Sequence, residues 1–152
     1  MHCILTQEEL EELCDKWKKI LRLEHYDTHV TLARAKDFAG DDNEGEIDYI
    51  LEKGNAAIRI LDASDYPETS FEQDMEATLV HELLHLYFAP FRPDKEGDNL
   101  AFCFWERAID DLSKVLVKLK RERDNAKISD KEIDIEFVPD IKPKKKNEPK
   151  KK

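Results

Sequence analysis

Residues 70–90 read SFEQDMEATLVHELLHLYFAP, which is the pattern of one buried helix. Ser70 and Gln73 fit a capping box, in which two side chains satisfy each other's backbone N–H groups at a helix start. Apolar residues then lie almost all round the helix, as is typical of a helix enclosed by protein. They are Met75, Ala77, Leu79, Val80, Leu83, Leu84 and Leu86. Pro90 and Pro93 should end the helix, because proline cannot continue it.

Two histidines lie four residues apart in this helix, in the segment His81-Glu82-Leu83-Leu84-His85. One helical turn separates them, so both imidazoles project from the same face and can share one metal ion. Imidazole is a good zinc ligand, and tetrahedral zinc needs one or two further groups. The carboxylate of Glu82 can reach a metal-bound water without binding the metal itself. The segment therefore predicts a zinc ion on His81 and His85, with Glu82 as the base.

The placement of these polar residues among leucines bears on their role. Burying two histidines and a glutamate costs free energy unless a partner compensates them, and a metal ion does so. The alternative interpretation is a pair of hydrogen-bonded core histidines. The position in the middle of a capped, buried helix, directly after a small sheet, favours the metal site.

The N-terminal half predicts one helix followed by that small sheet. A capping box that starts at Thr6 opens a helix of about 7–23, with apolar residues at helical spacing. A strand should follow Asp27. Alternating apolar residues around Lys53-Gly54-Asn55 predict a hairpin of about 46–52 and 56–62.

The C-terminal half predicts a second long helix. Apolar residues recur at intervals of three and four from Phe102 to Leu119, which indicates a helix of about 98–122. Alternation at Ile133, Ile135 and Phe137 predicts a short strand. We expect one domain over residues 1–140 and a disordered, lysine-rich tail over 141–152.

The long helix also offers a third metal ligand. Glu106 lies just beside its apolar stripe, a position from which the carboxylate can reach a metal held by the two histidines. Asp110, one turn further on, can hold the ring N–H of a ligand histidine. The alternative is that both acids are solvated side chains of an amphipathic helix. The intervening loop supplies rival ligands in Asp94, Glu96 and Asp98.

The histidine pair followed by Glu106-Arg107-Ala108-Ile109-Asp110 resembles the gluzincin branch of the zincin metallopeptidases, in the minimal form found in bacteria and phages. The resemblance covers residues 45–122. It implies an α+β zincin-like fold, with a small, mostly antiparallel sheet packed on an N-terminal helix, the HExxH helix and a following long helix. The metzincin branch fits less well, because Phe88 and Phe91 stand where it has glycine and a third histidine.

The same resemblance implies a site and an activity. The zinc ligands would be His81, His85 and Glu106, with Glu82 as the base and Asp110 supporting a ligand histidine. The implied activity is hydrolysis of a peptide or protein substrate by a zinc-bound water that Glu82 activates.

The resemblance further implies that an extended substrate lies along an edge strand near the HExxH helix, with residues 57–61 as the candidate strand. Residues whose chemistry suits stabilisation of an oxyanion are Tyr66, Tyr87, His25 and His29.

Two other functions stay open at this stage. One is a catalytically inactive zincin-like interaction or regulatory module, of phage or prophage type, that retains the zinc site. The other is hydrolysis of a different amide. Retention of Glu82 favours the peptidase, because a purely structural zinc site does not need this carboxylate. The oligomeric state and the substrate are not predicted.

The charge distribution restricts the partners. The formal net charge is −10, although residues 142–152 hold seven lysines and one glutamate. The rest of the chain is therefore more acidic than the whole, which argues against nucleic-acid binding by the folded domain. No apolar run of about 18 residues is present, so we expect no membrane span.

The chain of 152 residues, 40% hydrophobic and 39% charged, is long enough for one domain. Its N-terminus lacks the pattern of a signal peptide, and a cytoplasmic protein is the expectation. Three widely spaced cysteines, Cys3, Cys14 and Cys103, predict reduced and mostly buried thiols rather than a disulfide framework. A metal-ligand role for Cys103 is the alternative.

Overall fold

The computed structural model of the protein describes residues 3–40, 43–68, 71–94, 97 and 99–136, with 128–136 described by their backbone alone. The described chain is α+β, with three α-helices and a three-stranded mixed sheet. The helices are α1 (Gln7–Leu21), α2 (Met75–Tyr87) and α3 (Asn99–Glu136). The strands are β1 (Asp27–Ala33), β2 (Gly45–Ile50) and β3 (Asn55–Leu61).

Helix α1 begins as its sequence predicts. The Thr6 side chain accepts a hydrogen bond from the backbone N–H of Glu9, and the Glu9 carboxylate accepts one from the backbone N–H of Thr6. Leu10, Cys14 and Trp17 form its buried stripe. The predicted helix is confirmed, and it ends slightly earlier than expected.

The sheet has the order β1-β3-β2. β2 and β3 form the predicted antiparallel hairpin, in which Ile47 pairs with Ile58. Gly54 closes the turn with φ 66°, a conformation that glycine adopts without steric cost. β3 lies between β1 and β2, and β1 pairs with it in parallel. The expectation of a mostly antiparallel sheet is therefore corrected to a mixed sheet.

The strand order also corrects the expected substrate strand. Residues 57–61 belong to β3, which is the central strand and pairs on both sides. Both rows of its backbone hydrogen-bonding groups are occupied, so it cannot accept a further strand. β2 is the edge strand that packs against α2.

Helix α2 begins at Met75, later than its sequence suggests. Ser70 lies outside the described residues, and the segment from Phe71 to Gln73 is not helical. Asp74 is the cap, and its Oδ1 accepts a hydrogen bond from the backbone N–H of Ala77 at 3.1 Å. The predicted cap at Ser70 is wrong, since backbone bonds to Cys3 on both sides of Asp74 hold this stretch extended.

The hydrophobic core lies between the sheet and the helices. Its fully buried side chains include Trp17 of α1, Ile58 of β3, Leu79 and Leu83 of α2, and Ile109 of α3. The α2 pattern of apolar residues all round the helix is thus explained, because α1, the sheet and α3 cover it. This burial fixes the face on which the two histidines project.

Helix α3 continues through Glu136, so the predicted strand at Ile133 and Ile135 is wrong. Phe137 lies outside the described residues. Residues 99–136 contain no glycine or proline, so no helix-breaking residue ends α3 before this point.

The chain forms two compact units. The first extends to Leu119 and contains the sheet, α1, α2 and the first part of α3. The second starts at Lys120, and its described part is helical. The expected division at residue 140 lies outside the described residues and stays a prediction. No helix of the described chain is both long and apolar enough to cross a membrane.

Candidate metal centre

Two helices bring three potential metal ligands together. On α2, the Nε2 atoms of His81 and His85 lie 3.0 Å apart, because one helical turn places both rings on one face. On α3, the Oε2 atom of Glu106 lies 3.7 Å from Nε2 of His81 and 3.5 Å from Nε2 of His85. The ligand atoms of the three residues converge on one point.

The three distances suit a tetrahedral metal ion. Ligand atoms about 2.0–2.1 Å from a tetrahedral zinc lie about 3.3 Å from one another. The separations of 3.0, 3.5 and 3.7 Å are close to that value. Two imidazole nitrogens and one carboxylate oxygen are also the donor types of catalytic zinc sites, which keep a fourth position for water or substrate.

The surroundings orient the rings and leave the site accessible. The ring of Trp105 packs at 4.9 Å from the ring of His85, between centroids, and Phe102 packs against Trp105. Side-chain exposure is 22% for His81, 14% for His85 and 36% for Glu106. An ion can therefore enter from solvent although the histidines rest on the core.

Glu82 lies beside the three ligands but is not one of them. The residue is only 6% exposed, and no hydrogen bond to its carboxylate occurs among the described residues. Burial raises the pKa of the Glu82 carboxyl to about 7; His81 opposes this rise, whereas Glu106 and Glu46 add to it. A carboxyl group with a pKa near neutrality suits a general base that must also release its proton.

The two histidines differ in their affinity for protons. Burial lowers the pKa of His85 to about 4. Burial also acts to lower the pKa of His81, but a hydrogen bond with Glu106 and the charge of Glu82 outweigh it, so that this pKa is raised. His85 is thus neutral, as a metal ligand must be, and His81 is the ring for which a proton competes.

Asp110 lies close enough to His81 for its charge to raise the pKa of that ring. Its Oδ2 atom accepts a hydrogen bond from Lys114 Nζ at 2.7 Å. No hydrogen bond from a ligand histidine to Asp110 occurs among the described residues. The supporting role of Asp110 stays a prediction.

A cavity of about 590 Å³ opens beside His81 and Glu82. Its walls are the first turns of α2, residues 110–114 of α3, the entry to β2, and the side chains of Tyr66, Pro67 and Phe71. The site thus borders a space large enough for the side chains of a bound peptide.

The structure gives the positions of some rival ligands and of the oxyanion candidates relative to the candidate metal centre. Among the described residues, Asp94 and the exposed Cys103 are not part of the converging group, while Glu96 and Asp98 lie outside the description. Of the oxyanion candidates, Tyr66 lines the cavity beside the site, and its hydroxyl donates to Glu44 Oε1 at 3.2 Å. The other three line different cavities; they are Tyr87, His25 and His29.

The thiols are only partly as expected. Cys14 is buried, and burial raises its pKa to about 11, which makes it an inert core residue. Cys3 is half-buried and Cys103 is exposed, so the expectation of mostly buried thiols is wrong for Cys103. Cys103 is not one of the converging donor residues, so its exposure does not change the candidate metal centre.

Sequence reasoning missed one residue of the site. Gly45, the first residue of β2, lies against Glu82 and Thr78. A glycine at the start of a hairpin strand was the available signal, but its partner on α2 depends on packing between distant segments.

In comparisons with known proteins, no family model, no curated protein and no solved structure matches this chain.

Proposed function

We propose that this protein is a zinc-dependent metallopeptidase of the minimal zincin-like kind. The observation that carries the proposal is the convergence of His81, His85 and Glu106 within tetrahedral distances, with Glu82 beside them. When bound there, zinc would supply Lewis acidity toward a water molecule and the carbonyl oxygen of a peptide bond.

The residues of the chain divide the remaining work. The Glu82 carboxylate takes a proton from the attacking water and returns it to the leaving amine, a role that its place beside the centre allows. Glu106 anchors the centre to α3, and Trp105 holds the ring of His85 in place. Tyr66 lies on the cavity wall, and its hydroxyl is the proposed donor of a hydrogen bond to the oxyanion.

The edge strand β2 is the proposed docking strand for an extended substrate. It lies at the edge of the described sheet, packs against α2, and meets Glu82 at Gly45. An edge strand can pair with an added strand through its backbone groups. This assignment replaces the central strand β3 in that role.

The variant Glu82→Gln tests the function. It preserves side-chain size but removes the base, so zinc and fold should persist while peptide hydrolysis falls by about 10²–10⁴-fold. Hydrolysis of a broad peptide library by the zinc-loaded protein, read by mass spectrometry, measures this. Glu12→Gln, a change of an exposed acid on α1, is the matched control and should keep wild-type activity.

Two outcomes would contradict the peptidase. Hydrolysis that is equal in the wild type and in Glu82→Gln would place the activity elsewhere. Zinc binding without any product across the library would favour the alternative, a catalytically inactive interaction or regulatory module with a retained zinc site.

A further inference from the structure

The cavity beside His81 and Glu82 has an acidic wall. Among the described lining residues, five carry a carboxylate and one carries an ammonium group. The carboxylates belong to Glu44, Glu72, Asp74, Glu82 and Asp110, and the ammonium belongs to Lys114. Lys114 Nζ lies 2.7 Å from Asp110 Oδ2, so this ammonium group is already paired within the wall.

Two of the other acids accept hydrogen bonds from neutral groups of the described chain. Glu44 accepts a hydrogen bond from the Tyr66 hydroxyl, a neutral donor. Asp74 caps the N-terminus of α2, whose dipole stabilises it in part. Glu82 is a further case, since the residue is only 6% exposed and its carboxylate, although His81 lies near it, accepts no hydrogen bond within the described chain. A nearly buried, unpartnered carboxylate on a cavity wall points to a donor that comes from outside.

A metal ion on the candidate centre would not balance this charge. A divalent ion brings two positive charges, and Glu106 offsets one of them. The acids of the cavity wall would still exceed the remaining positive charge. The excess of negative charge is therefore a property of the cavity in either state of the centre.

The rim offers apolar surface as well. Tyr66, Pro67 and Phe71 line the same cavity, and Phe71 is 80% exposed. Lysine and arginine bury their methylene stems along apolar surface while their charged ends seek anions, and aromatic faces attract cations. A volume of about 590 Å³ accommodates such a side chain.

We propose that this cavity is a subsite for a positively charged side chain, lysine or arginine, of the substrate. The inference rests on the proposed function in that the ligand is a peptide. The charge preference itself can be measured by binding and does not require hydrolysis.

An NMR titration with three small probes tests the subsite directly. The probes are the N-acetyl methylamides of lysine, norleucine and glutamate, which differ in charge at similar size. The lysine probe should shift the backbone amide signals of Gly45, Thr78 and Ser113, which line the cavity. The norleucine probe should bind more weakly, and the glutamate probe should not bind. Added salt should weaken the binding of the lysine probe.

A pair of double variants gives the control. The double variant Glu44→Gln with Glu72→Gln removes two charges from the cavity wall. It should lower the affinity for the lysine probe about two- to fivefold per carboxylate. Glu8→Gln with Glu12→Gln changes the net charge equally, on the exposed face of α1, and should have little effect. Equal binding of lysine and norleucine probes, absence of localised shifts, or equal effects of the two double variants would overturn the subsite.

The titration separates this inference from the proposed function. Performed on the metal-free and the zinc-loaded protein, it reports the charge preference whether or not zinc binds or peptides are cut. Hydrolysis without any preference for lysine or arginine near the cleaved bond would overturn the subsite and leave the peptidase intact.

Discussion

A Cβ atom built at Gly45 would lie 2.7 Å from the Oε1 atom of Glu82. It would also lie 2.6 Å from the Cγ2 methyl of Thr78. The backbone of β2 and the side chain of the proposed base thus approach so closely that a side chain at position 45 would displace Glu82 or Thr78. Gly45 leaves the Glu82 carboxylate its position on the wall of the cavity.

The substitution Gly45→Ala should displace Glu82 without removing any metal ligand. We expect unchanged zinc affinity and a fall in kcat of about 10- to 100-fold, because small misplacements of a catalytic group are costly. Adding Thr78→Ser removes the clashing methyl and should restore part of the activity. Steady-state kinetics on one cleaved peptide measures both.

A control is available at Gly40, where an added Cβ would meet only the flexible side chain of Asn43, at 3.2 Å. Gly40→Ala should leave kcat unchanged. Full activity in Gly45→Ala, or equal losses in both variants, would show that Gly45 does not position the base.

The proton affinities of the histidines predict a pH dependence of zinc binding. Protons compete with zinc for His81, whose pKa is raised, and much less for His85, whose pKa is about 4. Zinc affinity should therefore fall as the pH decreases, by about tenfold per unit below the ordinary histidine pKa of 6.5, where a ring with a raised pKa is protonated. Titration against a chelator of known pH dependence measures it, and an affinity that is flat or rises over that range would contradict the assignment.

The start of α2 makes a prediction about stability. Asp74→Ala removes the hydrogen bond to the backbone N–H of Ala77 and should lower the free energy of unfolding by about 0.5–2 kcal/mol. Ser70→Ala, at the position that the sequence pattern favours as a cap, should change it by less than about 0.5 kcal/mol. Urea denaturation of both variants decides between the two caps, and a larger loss for Ser70→Ala would restore the earlier one.

Periodicity in the sequence predicted α1, the β2–β3 hairpin and the three candidate donor residues. The capping box of α1 and the alternation across Gly54 are local patterns, and both produce the expected helix and hairpin. His81 and His85 share a face because of helix geometry, and Glu106 lies on the flank of an apolar stripe that must face the core. The structure accordingly brings these three side chains together.

Features that depend on distant segments were not predictable in this way. The parallel pairing of β1 with β3 needs the strand order, which alternation within one strand does not contain. The extended stretch before Met75 is held by backbone hydrogen bonds to Cys3, which lies about 70 residues earlier in the sequence. The contact between Gly45 and Glu82 likewise arises only from the packing of β2 on α2.

The central claim is a single metal centre on His81, His85 and Glu106. Its most direct test is the zinc content and zinc affinity of protein purified without a histidine tag. We expect about one zinc per chain in the wild type and a loss of tight binding in His81→Ala, His85→Ala and Glu106→Ala. Asp94→Ala, a change of a rival ligand from the loop, should bind zinc normally. A wild type that takes up no zinc, or a Glu106→Ala variant with wild-type affinity, would contradict it.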